Sequence, residues 1–301
     1  MLRAAFVKAL LVATGGLDIW DPPDATVSPP PGTAVRVLMP DGSIAALDLE
    51  TYLYGVVPIE TPASWPAAAL QAQAIIARTY ALQKRTISRP YDLVSTDADQ
   101  RYGGPDAARP ASSAAVDATK GQTLSYLGGP ATVFYSSCCG GHSADAAELW
   151  GHNALPYLRG VLDPYCTASP DYRWQRSVPL ERARALLAGR VAGTPVTAVL
   201  DDPDASGRPR SVAFRDDTGA EAVLSVSELR ARLGADTVRS LWLRDIVIDR
   251  TQAVSLVVIE GSGRGHGVGL CQWGARGMAL AGAAAQDILA EYFPGTTVSG
   301  A

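Results

Sequence analysis

The chain has 301 residues, of which 47% are hydrophobic and 19% charged, enough to bury one sizeable core or two modest ones. That balance is the composition of a folded globular protein, for which disorder is not the default. The formal net charge is -4 and no run of basic residues exceeds a pair, which excludes the electrostatic footprint of a nucleic-acid partner.

At the N-terminus Arg3 precedes an apolar stretch over residues 9–17, with Lys8 in front of it. The stretch is shorter than the roughly 20 residues that a membrane-spanning helix needs, so it reads as a signal peptide, a shallow anchor or an ordinary buried segment. Membrane association is expected only through this segment. The prolines of DPPDATVSPPPGTA predict an extended linker. Residues 1–33 are therefore expected to form a signal-like or anchor segment with a Pro-rich linker, and residues 34–301 a single folded domain.

From Ala34 the alternation in AVRVLMPDGSIAALDL, broken at Pro40-Asp41-Gly42, predicts a strand, a tight turn and a second strand. The apolar run in LETYLYGVVPIE reads as strand-like. Ser64-Trp65-Pro66 then predicts a helix start, with Ser64 as cap and Pro66 in the first turn, and AAALQAQAIIARTYALQKRT continues without Gly or Pro. Leu70, Ala74, Ala77 and Ala81 fall on one stripe at helical spacing. Short strands are predicted at 122–126 and 131–135, a helix in LERARALLAG, strands in VTAVLDD and SVAFRD, a helix in SVSELRARLG and a strand in VSLVVIEG. A final helix, AAAQDILAEYF, is stopped by Pro294-Gly295. Strands and helices mix without a regular βαβ rhythm, which predicts an α+β fold with a substrate cleft.

Three stretches carry chemistry. Glu60, in GVVPIETPASWP, is flanked by Val57, Ile59 and Trp65, and partial desolvation there would keep a proton on it near neutrality, as a general acid requires. A lone loop glutamate is more commonly a solvated charge, so local chemistry alone does not single it out. The second stretch, FYSSCCGGHSADAAELWGH with Cys166 beyond it, admits three readings. Cys139, His142 and Cys166 with one more group suit zinc; Cys139 and Cys166 suit a disulfide in an exported protein; a cysteine nucleophile served by His266 is the third. The third stretch, GSGRGHGVGLCQWGARG, has alternating glycines but too little chain after Gly269 for a dinucleotide fold, whose acidic residue stands about 20 positions on. Its glycines predict a backbone closely approached by a ligand or a strand, presenting Arg264, His266 and Gln272.

Together these segments resemble the SpoIID family, whose domain also occurs in amidase enhancers. LETYLYGVVPIETPASWPAAALQAQAIIARTYAL, DADQRYGG, FYSSCCGGHSADAAELWG, GRGHGVGLCQWGARGMA and ILAEYFPGT match its motifs in order, over residues 35–297. The resemblance implies a lytic transglycosylase that cleaves the β-1,4 bond between N-acetylmuramic acid and N-acetylglucosamine in peptide-stripped peptidoglycan. It implies Glu60 as the catalytic acid and base, a 1,6-anhydro product, and action outside the cytoplasmic membrane. Asp99, Gln100, Tyr102, Ser136, Ser137, Arg264, His266 and Gln272 are implied to contact the glycan. Cys139, His142 and Cys166 match ligands of a structural zinc in members that bind it. Two positions depart: Thr61 stands where the family usually has Met, and Ser136 where zinc-binding members have His, with Cys138 adjacent. The competing functions are a non-catalytic glycan-binding amidase enhancer, partnered by a cell-wall amidase, and a cysteine peptidase.

Overall fold

Asp48 decides how the chain leaves its first hairpin. In the computed structural model, which describes residues 34–152, 154–251 and 253–300, the strands Ala34–Leu38 and Ile44–Asp48 pair antiparallel. Gly42, at φ +85°, supplies the turn between them, and Asp41 accepts from the Ser43 N–H at 2.9 Å. The expected strand, turn and strand are therefore present. Leu93–Val94 adds to this sheet in parallel. The signal-like segment and the Pro-rich linker lie outside the described residues.

The Asp48 carboxylate then accepts from the backbone N–H groups of Glu50 and Thr51 and caps a helix, α1, over Leu49–Glu60. This corrects the strand-like reading of the apolar run. Leu49, Tyr52, Leu53, Val56 and Val57 recur at helical spacing and are all buried, so one face of α1 forms the core despite Pro58 in its last turns. The next helix, α2, spans Ala67–Lys84. Pro66, and not Ser64, occupies the cap position, so the helix starts two residues later than expected, and no side chain caps the end. The stripe Leu70, Ala74, Ala77 and Ala81 is buried as expected.

The α+β mixture expected from the sequence is observed. Within the segment read as one domain, however, the contacts group into two compact units, residues 34–135 with 275–300, and residues 136–274. In the first, α1 and α2 pack with Val35, Val37, Leu93, Ala115 and Val116. Arg78, 1% exposed, is held inside by Glu50 at 2.6 Å and by the Gln122 carbonyl at 3.0 Å. The helix Ala285–Tyr292 ends at Phe293, ahead of Pro294, and strand Thr297–Ser299 pairs with Thr123–Tyr126. Residues 131–134 are not a strand, contrary to expectation; strand character there is confined to Tyr135–Ser136.

The second unit holds two antiparallel sheets. One pairs Pro195–Pro203, Pro209–Asp216 and Glu221–Ser225; the other pairs Leu243–Asp249, Leu256–Gly261 and Trp174–Pro179. Val212 and Phe214 point inward while Arg215 is exposed, the period-two pattern of a half-buried strand. The helices Leu180–Leu186 and Val226–Leu233, the latter capped by Ser225, cover a core of Trp174, Phe214, Leu224, Leu229 and Ile259. Among the described residues no helix is long and apolar enough to cross a membrane.

Candidate functional site

Glu60 is the last residue of α1, where the chain leaves the helix at Thr61. The Thr61 hydroxyl turns back onto the Val57 carbonyl at 3.0 Å, so the residue that departs from the family pattern closes the helix end. Opposite this end lies the loop that carries Asp99, Gln100 and Tyr102. It approaches α1 through Gly55: a Cβ there would meet the Tyr102 ring at 2.3 Å, and the Gly103 N–H donates to the Gly55 carbonyl at 3.0 Å. That approach lets the Arg101 backbone N–H donate to Oε1 of Glu60 at 2.8 Å.

Burial pushes the Glu60 carboxyl above its ordinary pKa, and the Asp97 charge adds to the rise. The Arg101 N–H, the Tyr135 hydroxyl and the Arg101 charge pull the other way. The negative end of the helix dipole also favours the protonated acid, since α1 has no basic residue in its last turn. The Tyr135 hydroxyl is buried and is not aligned in a full hydrogen bond, although it faces Glu60 closely enough to be pushed well up in pKa by burial and by that carboxylate. Tyr52 donates to Oε1 of Gln100 at 3.3 Å and stacks on Tyr102 with ring centroids 5.4 Å apart.

The residues expected around Glu60 divide in two. Tyr102 is partly exposed. Gln100 is fully buried, its Nε2 lacking a hydrogen-bond acceptor. The Asp99 carboxylate is engaged internally by the Tyr80 hydroxyl and Lys84, each at 2.9 Å, and by the Val94 N–H at 2.8 Å. Gln100 and Asp99 therefore hold the loop in place. Tyr52, Tyr135 and Arg101 escaped the sequence reading; the adjacency of Tyr135 to Ser136 and of Arg101 to Gln100 was the available signal.

The remaining candidates lie in the second unit. The alternating glycines bring their backbone against the cysteine loop: a Cβ at Gly263 would meet the Cys138 carbonyl at 2.5 Å, and one at Gly265 the Ser136 Cβ at 2.9 Å. Cys138 and Arg264 bond to each other through their backbones. The close-approach reading of the glycines is thus met by protein backbone. Ser136 and Gln272 are buried, whereas Ser137, Arg264 and His266 are partly exposed. Arg264 reaches Asp236 at 3.4 Å and Asp171 at 4.0 Å. His266 Nδ1 accepts the Val268 N–H at 3.0 Å, and its ring lies 5.5 Å from that of Trp150.

The cysteines form a buried cluster with an acid, able to hold a metal ion: Cys139, Asp163, Cys166 and Cys271. Cys139 and Cys166 are brought together as expected, as free thiols and not a disulfide. His142 is not part of the cluster; its Nδ1 lies on the Ser143 carbonyl at 2.6 Å. Asp163 and Cys271 take places that the sequence reading left open or gave to His142. Cys139 is only 2% exposed and lies against Asp163 and Cys166, an arrangement that does not suit an exposed nucleophile served by His266.

Residues 42–126, which contain α1, α2 and the loop before Tyr102, match the SpoIID family model, described as Stage II sporulation protein. An uncharacterized protein of Brachyspira hyodysenteriae is 32% identical, the match covering 84% of this chain and 67% of that protein. The amidase enhancer of Bacillus subtilis is 30% identical over 82% of this chain, which spans only 40% of its length. Stage II sporulation protein D of Bacillus amyloliquefaciens is 28% identical, with 85% and 76% covered.

Proposed function

The chain belongs to the SpoIID family, and from that premise we propose that it is a peptidoglycan lytic transglycosylase acting on glycan strands outside the cytoplasmic membrane. The observation that carries the proposal is Glu60: a desolvated carboxyl with raised pKa, fixed on one oxygen by the Arg101 N–H, inside the segment that matches the family.

Glu60 donates its proton to the oxygen linking N-acetylmuramic acid to N-acetylglucosamine as that bond breaks. The resulting carboxylate then takes the proton of the muramic C6 hydroxyl, whose oxygen attacks C1 and closes the 1,6-anhydro ring. The proton count balances without water, and no second carboxylate is needed. Arg101 N–H and the Tyr135 hydroxyl suit the ionised half of this cycle, because both lower the cost of the charge on Glu60. Tyr102 offers an aromatic face to a pyranose ring.

A second reading, a non-catalytic enhancer of a cell-wall amidase, is favoured by the name of one relative. Incubating the purified chain alone with peptide-bearing and denuded glycan separates the two. Anhydro-ended products from denuded strands support the transglycosylase. Intact glycan, together with faster peptide release when an amidase is added, supports the enhancer.

A further inference from the structure

Cys271 stands far from Cys139 in sequence, yet its sulfur accepts the Cys139 backbone N–H and the Gly274 N–H, each at 3.3 Å. These two N–H groups fix the Cys271 sulfur against the start of the cysteine loop. The Cys139 and Cys166 sulfurs are 3.7 Å apart. Two sulfurs bonded to one tetrahedral zinc at about 2.3 Å stand roughly 3.8 Å from each other, whereas a disulfide requires about 2.05 Å.

Asp163 supplies the fourth group. Its Oδ1 accepts the Tyr165 N–H at 2.9 Å and so fixes the turn Pro164–Ala168 that carries Cys166, while Oδ2 lies 3.0 Å from the Cys139 sulfur. This carboxyl is 1% exposed and lies beside the sulfurs of Cys139, Cys166 and Cys271. The four ligand atoms all lie within 4.8 Å of one another. Arg208, itself 4% exposed, donates to the carbonyls of Cys139 and His142, and brings positive charge to a site that would remain anionic after binding one divalent ion.

The geometry points to a structural zinc site with Cys139, Asp163, Cys166 and Cys271 as its four ligands and His142 outside it. Cys271 thus fills, from the far end of the unit's chain, the coordination place that Ser136 cannot. With four protein ligands the ion has no open position, so its role is to tie the cysteine loop, the turn after Asp163 and the start of the helix Gln272–Leu280 together. The site does not depend on the catalytic reading of Glu60.

The test is zinc analysis and zinc X-ray absorption on the full chain purified under reducing conditions without chelator. One zinc per chain is expected, with three sulfur neighbours, one light-atom neighbour and no imidazole scattering. His142→Ala and Cys138→Ser should keep the metal, and Cys271→Ser should weaken zinc binding by at least about 10- to 100-fold. An imidazole in the wild-type shell, a fourth sulfur, full zinc retention by folded Cys271→Ser, or a metal-free chain with a Cys139–Cys166 disulfide by peptide mass mapping overturns the assignment. If Cys271→Ser does not fold, the wild-type sulfur count decides.

Discussion

The Arg101 backbone N–H donates to Oε1 of Glu60 at 2.8 Å, so a loop on the far side of α1 fixes the orientation of the carboxyl. The proposed proton transfer thus starts from a carboxyl held on one oxygen by a backbone N–H. The loop is in turn held by Asp99 through Tyr80, Lys84 and the Val94 N–H. Rate and pH dependence should therefore respond to residues that never touch the sugar.

Burial raises the pKa of Glu60, so the folded state holds its proton more tightly than the unfolded chain does. The sign follows from linkage: the ionised carboxyl weakens the fold above the folded pKa, and the penalty vanishes below the unfolded value. Glu60→Gln should raise the melting temperature at pH 8 and leave it unchanged near pH 4, by thermal scans in matched buffers. A variant that melts below wild type at pH 8 contradicts this account of the carboxyl.

Tyr135→Phe removes a hydroxyl that pulls the Glu60 pKa down, and it fills the same space. The descending limb of the pH–rate profile for glycan cleavage should move to higher pH, since activity is lost as the acid ionises. Circular dichroism should not change. A profile superimposable on wild type would remove Tyr135 from the mechanism.

Gly55→Ala puts a methyl group where the Tyr102 ring lies at 2.3 Å and the Gly104 carbonyl at 2.8 Å. Overpacking of this kind costs about 1–3 kcal/mol, against a helix-propensity gain of at most about 1 kcal/mol. Lower stability in urea titration and a disproportionate fall in kcat are expected, because the displaced loop also carries the Arg101 N–H. Loss of stability with kcat preserved would show that the loop does not position Glu60.

Arg78→Met leaves the Glu50 carboxylate, 15% exposed, without its 2.6 Å partner. Breaking a buried pair from one side costs about 3–5 kcal/mol, so urea unfolding should show one of the larger losses in the first unit. Replacing Glu50 with Gln at the same time should recover part of it. No recovery in the double variant would mean that Arg78 acts through the Gln122 and Val116 carbonyls and the Thr119 hydroxyl instead.

Much of this was legible in the sequence because local chemistry and tertiary structure agree. Pro40-Asp41-Gly42 demanded a turn, and the small-residue stripe of α2 is buried as its spacing implied. The run Val56-Val57-Pro58-Ile59 misled because β-branched residues favour strands and a proline disfavours a helix interior, while the burial of Leu49, Tyr52, Leu53, Val56 and Val57 rewards a helix. The desolvation of Glu60 was legible from its apolar neighbours, whereas the Arg101 N–H and the Tyr135 hydroxyl reach it only through tertiary contact. The cysteine cluster was half legible: Cys139 and Cys166 share one sequence neighbourhood, whereas Cys271 arrives from a distant segment through backbone approach at the alternating glycines.

The most direct test of the central claim is cleavage of denuded glycan strands by wild type and Glu60→Gln, read by mass spectrometry of the products. Gln keeps the shape of the side chain and cannot deliver a proton. A general acid contributes about 10² to 10⁴ in rate, and a group that also acts as base should stand at the upper end of that range or beyond it. Wild type should release 1,6-anhydro products, while the folded variant should bind the strands and release almost none. Anhydro products formed by Glu60→Gln at near wild-type rate would contradict the assignment of Glu60 as the catalytic acid.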